Sequence, residues 1–146
     1  MNGRSLLRQH DVRPRKGLGQ HFLVSDDILV QIAAAAHLQP TDLVVEVGPG
    51  MGALTTVMAR QAGRILAVEL DASLVEKLGS VLAGMDNVSV VQGDILGLRL
   101  DEHLPNPPGP YKVVANLPYY ITTPILRYFF DQRRRPDVIV VTVQEE

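Results

Sequence analysis

The chain has 146 residues, 46% of them apolar and 21% charged, with a formal net charge of −2, four histidines, no cysteine and no tryptophan. That length holds one domain of ordinary size, and the balance excludes a disordered or collagen-like chain and a polycation. Without cysteine there is no disulfide framework or zinc–thiolate site, which fits a reducing, cytoplasmic setting; no apolar run approaches the ~20 residues that span a bilayer, and the polar, basic N-terminus lacks the apolar middle of a secretory signal.

Residues 1–22 hold Arg4, Arg8, Arg13, Arg15 and Lys16 against Asp11 alone, a charge of +4, while the rest of the chain carries −6. Residues 1–24 therefore read as a basic arm that meets a polyanion or is simply a solvated terminus. From Ser25, a capping residue, Asp26 and Asp27 lead into an apolar helix that ends near His37–Gln39, with Pro40 as a stop. Leu43–Val47 is a short buried strand feeding Gly48-Pro-Gly-Met-Gly52. A helix over Ala53–Ala62 follows, then a strand over Arg64–Leu70 and a helix capped by Asp71 that runs to about Leu82. Val88–Gln92 is a third strand, 101–110 a loop with four prolines, and Tyr111–Ala115 a fourth strand that ends in Asn-Leu-Pro-Tyr. A short helix over Thr123–Phe130 and a strand over Asp137–Val143 complete the pattern. Strands alternating with helices imply right-handed parallel βαβ units, hence an α/β, Rossmann-like, doubly wound sheet.

In such sheets ligands bind beyond the carboxyl ends of the strands. The polar and glycine-rich residues fall there: Gly48, Gly50 and Gly52 after the first strand, Glu69 on the second, Asp94 after the third, and Asn116–Tyr119 after the fourth. Gly48–Ala53 formally fits the dinucleotide fingerprint G-x-G-x-x-G/A. Glu46, two places before Gly48, weighs against a pyrophosphate, whose charge a carboxylate opposes. It suits the sulfonium and ammonium groups of S-adenosylmethionine. Glu69 can accept from ribose hydroxyls in either cofactor class, and Asp94 from an adenine amine.

Asn116-Leu-Pro-Tyr119 points to the reaction. An amine on an aromatic base is a poor nucleophile, because its lone pair is delocalised into the ring. The Asn116 amide oxygen and the Leu117 carbonyl can each accept one N–H of such an amine and direct its lone pair at a methyl sulfonium. Pro118 fixes the turn and has no N–H to compete, and Tyr119 offers a face to the base. Catalysis then comes from positioning and desolvation, without a strong base. Arg13, Arg15 and Lys16 are candidate phosphate contacts; Arg133–Arg135 extend that patch or form a solvated helix end. Phe129 and Phe130 are expected in the core, and the histidines have no metal-ligand spacing, so no metal is assigned.

Lys16-Gly-Leu-Gly-Gln-His-Phe-Leu23, Glu46-Val-Gly-Pro-Gly-Met-Gly-Ala-Leu-Thr55, Glu69-Leu-Asp71, Gly93-Asp94-Ile-Leu96, Asn116-Leu-Pro-Tyr119 and Val143-Gln-Glu145 together resemble, in order and spacing, the adenine N6,N6-dimethyltransferases of small-subunit ribosomal RNA. The erythromycin-resistance methyltransferases of the large-subunit RNA are close relatives. The resemblance implies dimethylation of two adjacent adenosines near the RNA's 3′ end. It implies that Gln20, His21 and Leu23 line the cofactor cleft and that the Gly48 loop holds the methionine part. Glu69 would bind the ribose, Asp94 the cofactor adenine, and Asn116 and Tyr119 the target base. The family's pattern continues with two more strands and a helical domain, so residues 25–146 are expected to be an incomplete catalytic domain. Two alternatives stay open: methylation of another planar nitrogen, such as a DNA adenine or a protein amide, and a non-catalytic RNA-binding or assembly module.

Overall fold

Five apolar runs become five parallel strands in the computed structural model, which describes residues 26–105 and 109–142. In chain order the elements are α1 (Asp26–Ala35), β1 (Leu43–Val47), α2 (Ala53–Ala59), β2 (Arg64–Glu69), α3 (Ala72–Val81), β3 (Val88–Gln92), β4 (Lys112–Asn116), α4 (Tyr119–Phe130) and β5 (Val138–Thr142). Two single 3₁₀ turns, Ile95–Gly97 and Leu100–Glu102, lie between β3 and β4. The strand order is β3-β2-β1-β4-β5, which puts the topological switch point between β1 and β4.

The core has two faces because side chains alternate across each strand. Val44, Ile65 and Val114 pack under Leu29, Ile32 and Ala33 of α1 and Leu54 and Met58 of α2. Val45, Val47, Leu66, Val68, Val113 and Ala115 pack on the opposite face, against Ile125 and Phe129 of α4 and the 3₁₀ residues Ile95 and Leu100. Central strands covered on both faces need nearly continuous apolar runs; β4 has Val113–Ala115, and β1 is apolar but for Glu46.

Several boundaries differ from expectation, each for a local reason. The expected cap Ser25 lies outside the described residues. α1 stops at Ala35 because His37 adopts φ 49°, a left-handed exit that turns the chain before Pro40. α2 likewise ends three residues early. α4 starts at Tyr119 rather than Thr123: buried Pro118, with ψ 149°, stands at its N-cap, so Pro124 lies inside the helix instead of in its first turn. The lost backbone bond at Pro124 is offset by the complete burial of Phe129 and near-complete burial of Ile125. Phe130, expected in the core, is 52% exposed, since neighbouring residues on a helix cannot both face the sheet.

The arginine run has structural work. Arg134 donates to the Gly109 carbonyl at 2.6 Å and stands 5.9 Å from the Tyr111 ring centroid, while the Tyr111 hydroxyl donates to the Arg134 carbonyl at 2.6 Å. Arg135 donates to the Phe130 carbonyl near the C-terminus of α4.

At the amino end of the sheet, Lys112 Nζ lies 2.9 Å from Asp42 Oδ2 and donates to the carbonyls of Ala36 and His37, both at 2.9 Å. Burial raises the Asp42 pKa, but the bonds from Lys112 and the Gln39 N–H outweigh it and hold the carboxyl below its ordinary value. A depressed folded-state pKa gives stability that is present above the unfolded value near 3.8 and is lost as pH falls through the folded one. Lys112→Met is expected to cost about 1–3 kcal/mol at pH 7 and to flatten stability below about pH 4. Urea unfolding at pH 7 and pH 3 measures both; an unchanged acid limb would dismiss the pair as a stabiliser.

Candidate active site

The glycine loop is built from left-handed backbone. Gly48, Gly50 and Gly52 have φ of 72°, 58° and 85°, a region that costs other L-residues roughly 1–2 kcal/mol each. The Gly48 N–H continues the β1–β2 ladder to the Val68 carbonyl, Gly52 closes a turn onto Pro49, and buried Met51 anchors the loop against Leu74 of α3. A Cβ on Gly48 would stand 2.8 Å from Leu117 Cδ2. The loop after β1 therefore rests on the turn after β4, across the switch point.

Val44, Ile65, Val114 and Val140 face α1 and α2, so by alternation Glu46, Glu69, Asn116 and Thr142 leave the sheet on that same face. Glu69, at the end of β2, is buried. Its Oε1 accepts from the Gly50 N–H at 3.1 Å and its Oε2 from the Asp71 N–H at 2.9 Å. Burial lifts its pKa, and the Asp71 carboxylate adds to the rise; the backbone N–H bonds only partly offset it. Glu46 sits beneath the first turn of α2 and accepts from the fully buried Thr55 hydroxyl. Burial pushes it up to about 8, with the Thr55 bond acting the other way and Glu69 adding to the rise. The sequence suggests a free anion beside the loop. The structure instead seats a carboxyl that is largely protonated at neutral pH, because the strand's alternation turns Glu46 onto the helix-covered face.

The other two strand ends complete the edge. The Gly93 N–H bonds the Glu69 carbonyl at 2.9 Å, and exposed Asp94 caps the first 3₁₀ turn through Oδ1, which accepts from the Leu96 N–H at 3.0 Å. Asn116 is the last residue of β4, in register with Thr142 of β5, and its Oδ1 accepts from the Thr142 hydroxyl at 2.6 Å. Leu117 and Pro118 form the turn. Tyr119 is not part of it but the first residue of α4, because Pro118 already serves as the N-cap.

The structure thus brings Gly48, Gly50, Gly52, Glu46, Glu69, Asp94 and Asn116–Tyr119 to one edge of the sheet. Gln20, His21, Leu23, Arg13, Arg15 and Lys16 lie outside the described residues. Among the described residues there is no cluster of three or more His, Cys, Asp or Glu side chains fit for a metal, and no helix is long and apolar enough to cross a membrane. Sequence reasoning missed Thr55 and Thr142. Thr55 lies nine residues beyond Glu46, and the link to Thr142 depends on the β4–β5 register.

Residues 12–146 match the family model described as ribosomal RNA adenine dimethylase. A ribosomal RNA small subunit methyltransferase A of Dehalococcoides mccartyi is 46% identical over 143 residues, 98% of this chain and 49% of the relative. The crystal structure of the 23S rRNA methyltransferase ErmE is 32% identical with a TM-score of 0.73, over 85% of this chain and 48% of that one. An RNA methyltransferase from Salinibacter ruber in complex with S-adenosyl-L-homocysteine shares the fold at 20% identity and a TM-score of 0.66, over 83% of this chain and 78% of that one. The chain spans about half the length of the curated relatives it matches.

Proposed function

The chain belongs to the ribosomal RNA adenine dimethylase family and has its Rossmann-like fold, and from that premise we propose that it holds the cofactor and the target base of an S-adenosylmethionine-dependent enzyme. The reaction is dimethylation at N6 of two adjacent adenosines near the 3′ end of small-subunit ribosomal RNA. The observation that carries this reading is the contact of Gly48 with Leu117, which joins the glycine loop to the Asn-Leu-Pro turn in one crevice.

The residues present fit this cofactor better than a dinucleotide. The Gly50 N–H, which a pyrophosphate would need, is spent on Glu69. Two buried carboxyls beside the loop, Glu46 and Glu69, give a phosphate no cationic partner, and ionising either would oppose it. A cation in the crevice would draw the proton off Glu46 and gain a partner. Glu69, at the end of β2 beside the loop, is a carboxylate acceptor suited to ribose hydroxyls, and Asp94 Oδ2 accepts from no other described residue, so it suits an adenine amine.

When bound, S-adenosylmethionine supplies an electrophilic methyl group on a sulfonium. The chain's part is to hold the adenine amine. Asn116 Oδ1 and the Leu117 carbonyl accept its two N–H groups and keep its lone pair out of the ring plane. Pro118 keeps that turn in one conformation, and the Tyr119 ring, whose placement lies outside the described side chains, is assigned to the base from its residue type. A target adenine must be taken out of its stack for this to happen. Arg13, Arg15 and Lys16 are assigned to RNA phosphates from their charge.

The direct test gives the full chain radiolabelled S-adenosylmethionine with small-subunit RNA, large-subunit RNA or DNA. Label is expected as N6,N6-dimethyladenosine at two adjacent positions of the small-subunit RNA. Label in the large-subunit RNA or DNA instead, or none in any nucleic acid, would replace the reading.

A further inference from the structure

We propose that Thr142 is a positioning residue that allows the second methyl transfer, by keeping Asn116 Oδ1 paired when the target amine has one N–H left. The inference rests on the function proposed above and deepens it.

Register places Asn116 and Thr142 opposite each other on the last rung between β4 and β5, and both project from the same sheet face. The Thr142 hydroxyl donates to Asn116 Oδ1 at 2.6 Å. A carbonyl oxygen has two lone pairs, so Thr142 occupies one and the other serves the base.

Each transfer forms a nitrogen–carbon bond with the amine's lone pair while the carbon–sulfur bond breaks. Sulfur keeps the bonding electrons and becomes a neutral thioether, and the methylated nitrogen loses a proton to water. The first transfer begins from an amine with two N–H groups, one for Asn116 Oδ1 and one for the Leu117 carbonyl. The second begins from a methylamine with one. Two acceptors then share a single donor, and the methyl must lie against one of them. Leaving the Asn116 carbonyl oxygen unpaired beneath a bound base, which covers it from water, is costly. Asn116 can release the amine because the Thr142 hydroxyl stays bonded to Oδ1. The remaining N–H goes to Leu117, and the methyl is accommodated on the Asn116 side.

The experiment compares the full chain with Thr142→Val, which matches threonine in shape and removes the donor, and Thr142→Ser, which retains it. Single-turnover products on small-subunit RNA are resolved by mass spectrometry into mono- and dimethyladenosine. Thr142→Val is expected to slow the second transfer about tenfold more than the first, so monomethyladenosine accumulates. Thr142→Ser is expected to restore the dimethyl product. Apart from turnover, with S-adenosylhomocysteine present, Thr142→Val should weaken binding of an RNA carrying N6-methyladenosine more than of unmodified RNA. Both steps slowing equally, or a serine variant that behaves like valine, would overturn the proposal. Wild-type chain that transfers no methyl to adenine would instead overturn the underlying function.

Discussion

Asn116→Ala is expected to lower the rate of methyl transfer by about 10²–10³-fold while the affinity for S-adenosylhomocysteine changes little. Removing one preorganised hydrogen-bond partner of a reacting group costs about 3–4 kcal/mol of transition-state stabilisation. In the proposed reaction Asn116 carries that burden because its oxygen does two things: it orients the amine, and it draws density from the N–H bond as positive charge grows on nitrogen. Among the described residues, no side chain bonded to it can substitute. Thr142, within hydrogen-bond reach, is a hydroxyl already committed to the same oxygen. Glu69 and Glu46 lie on β2 and β1, nearer the glycine loop. The fold should tolerate the change, since Asn116 is only half-buried at a strand end and alanine has no φ conflict there. Single-turnover transfer to small-subunit RNA, paired with calorimetry, separates the roles. Unchanged turnover removes Asn116 from the chemistry, and a parallel loss of cofactor binding makes it part of the cofactor cleft instead.

The elements that were legible in the sequence are those set by local patterning. Leu43–Val47 reads as a buried strand because four of its five residues are apolar, Glu46 being the exception, and the structure gives the same bounds. Asp71 reads as a cap because a carboxylate before Ala-Ser can reach a free N–H, and it accepts from Ser73 at 2.9 Å. Boundaries that depend on tertiary contact were not legible. The sequence pattern starts the helix at Thr123, just before Pro124, yet α4 begins at Tyr119 because burial of Ile125 and Phe129 holds the helix through the proline. Arg134 and Arg135 look like a solvated patch until Gly109, Tyr111 and Phe130 are brought to them. The site divides in the same way. Residue types at strand ends single out Glu69, Asp94 and Asn116 as candidates, and Gly48–Gly52 reads as a glycine loop, whose left-handed backbone only the structure gives. What they bond to is set by register and by loop path. Thr55 under Glu46, the Gly50 N–H on Glu69 and Thr142 on Asn116 could not be read from spacing alone.

Glu69→Ala is expected to weaken S-adenosylhomocysteine binding by 10²-fold or more and to lower stability by about 2–4 kcal/mol. The two effects have different origins. The stability loss follows from the folded chain itself: Gly50 and Asp71 lose the acceptor for their N–H groups, and a buried unpaired donor costs about 1–3 kcal/mol. The affinity loss has a direct part, since ribose hydroxyls donating to a carboxylate make charge-assisted bonds worth about 1.5–3 kcal/mol each. It also has an indirect part, because Gly50 is the middle of the loop and Glu69 ties it to β2. Glu69→Gln separates them. Its one carbonyl oxygen can keep the Gly50 bond, while its amide group cannot accept from Asp71 and carries no charge. The glutamine variant should therefore retain most of the stability and lose most of the affinity. Hydrogen exchange gives the independent measure, with Gly50 and Asp71 amides exchanging faster in the alanine variant and only Asp71 in the glutamine one. If both variants bind S-adenosylhomocysteine as the parent does while those amides exchange faster, Glu69 is a tether for the loop and the ribose is held elsewhere. If affinity falls in both but exchange at Gly50 does not change in the glutamine variant, the carboxylate itself is the ligand-binding group, and the loop is held in place ready for it.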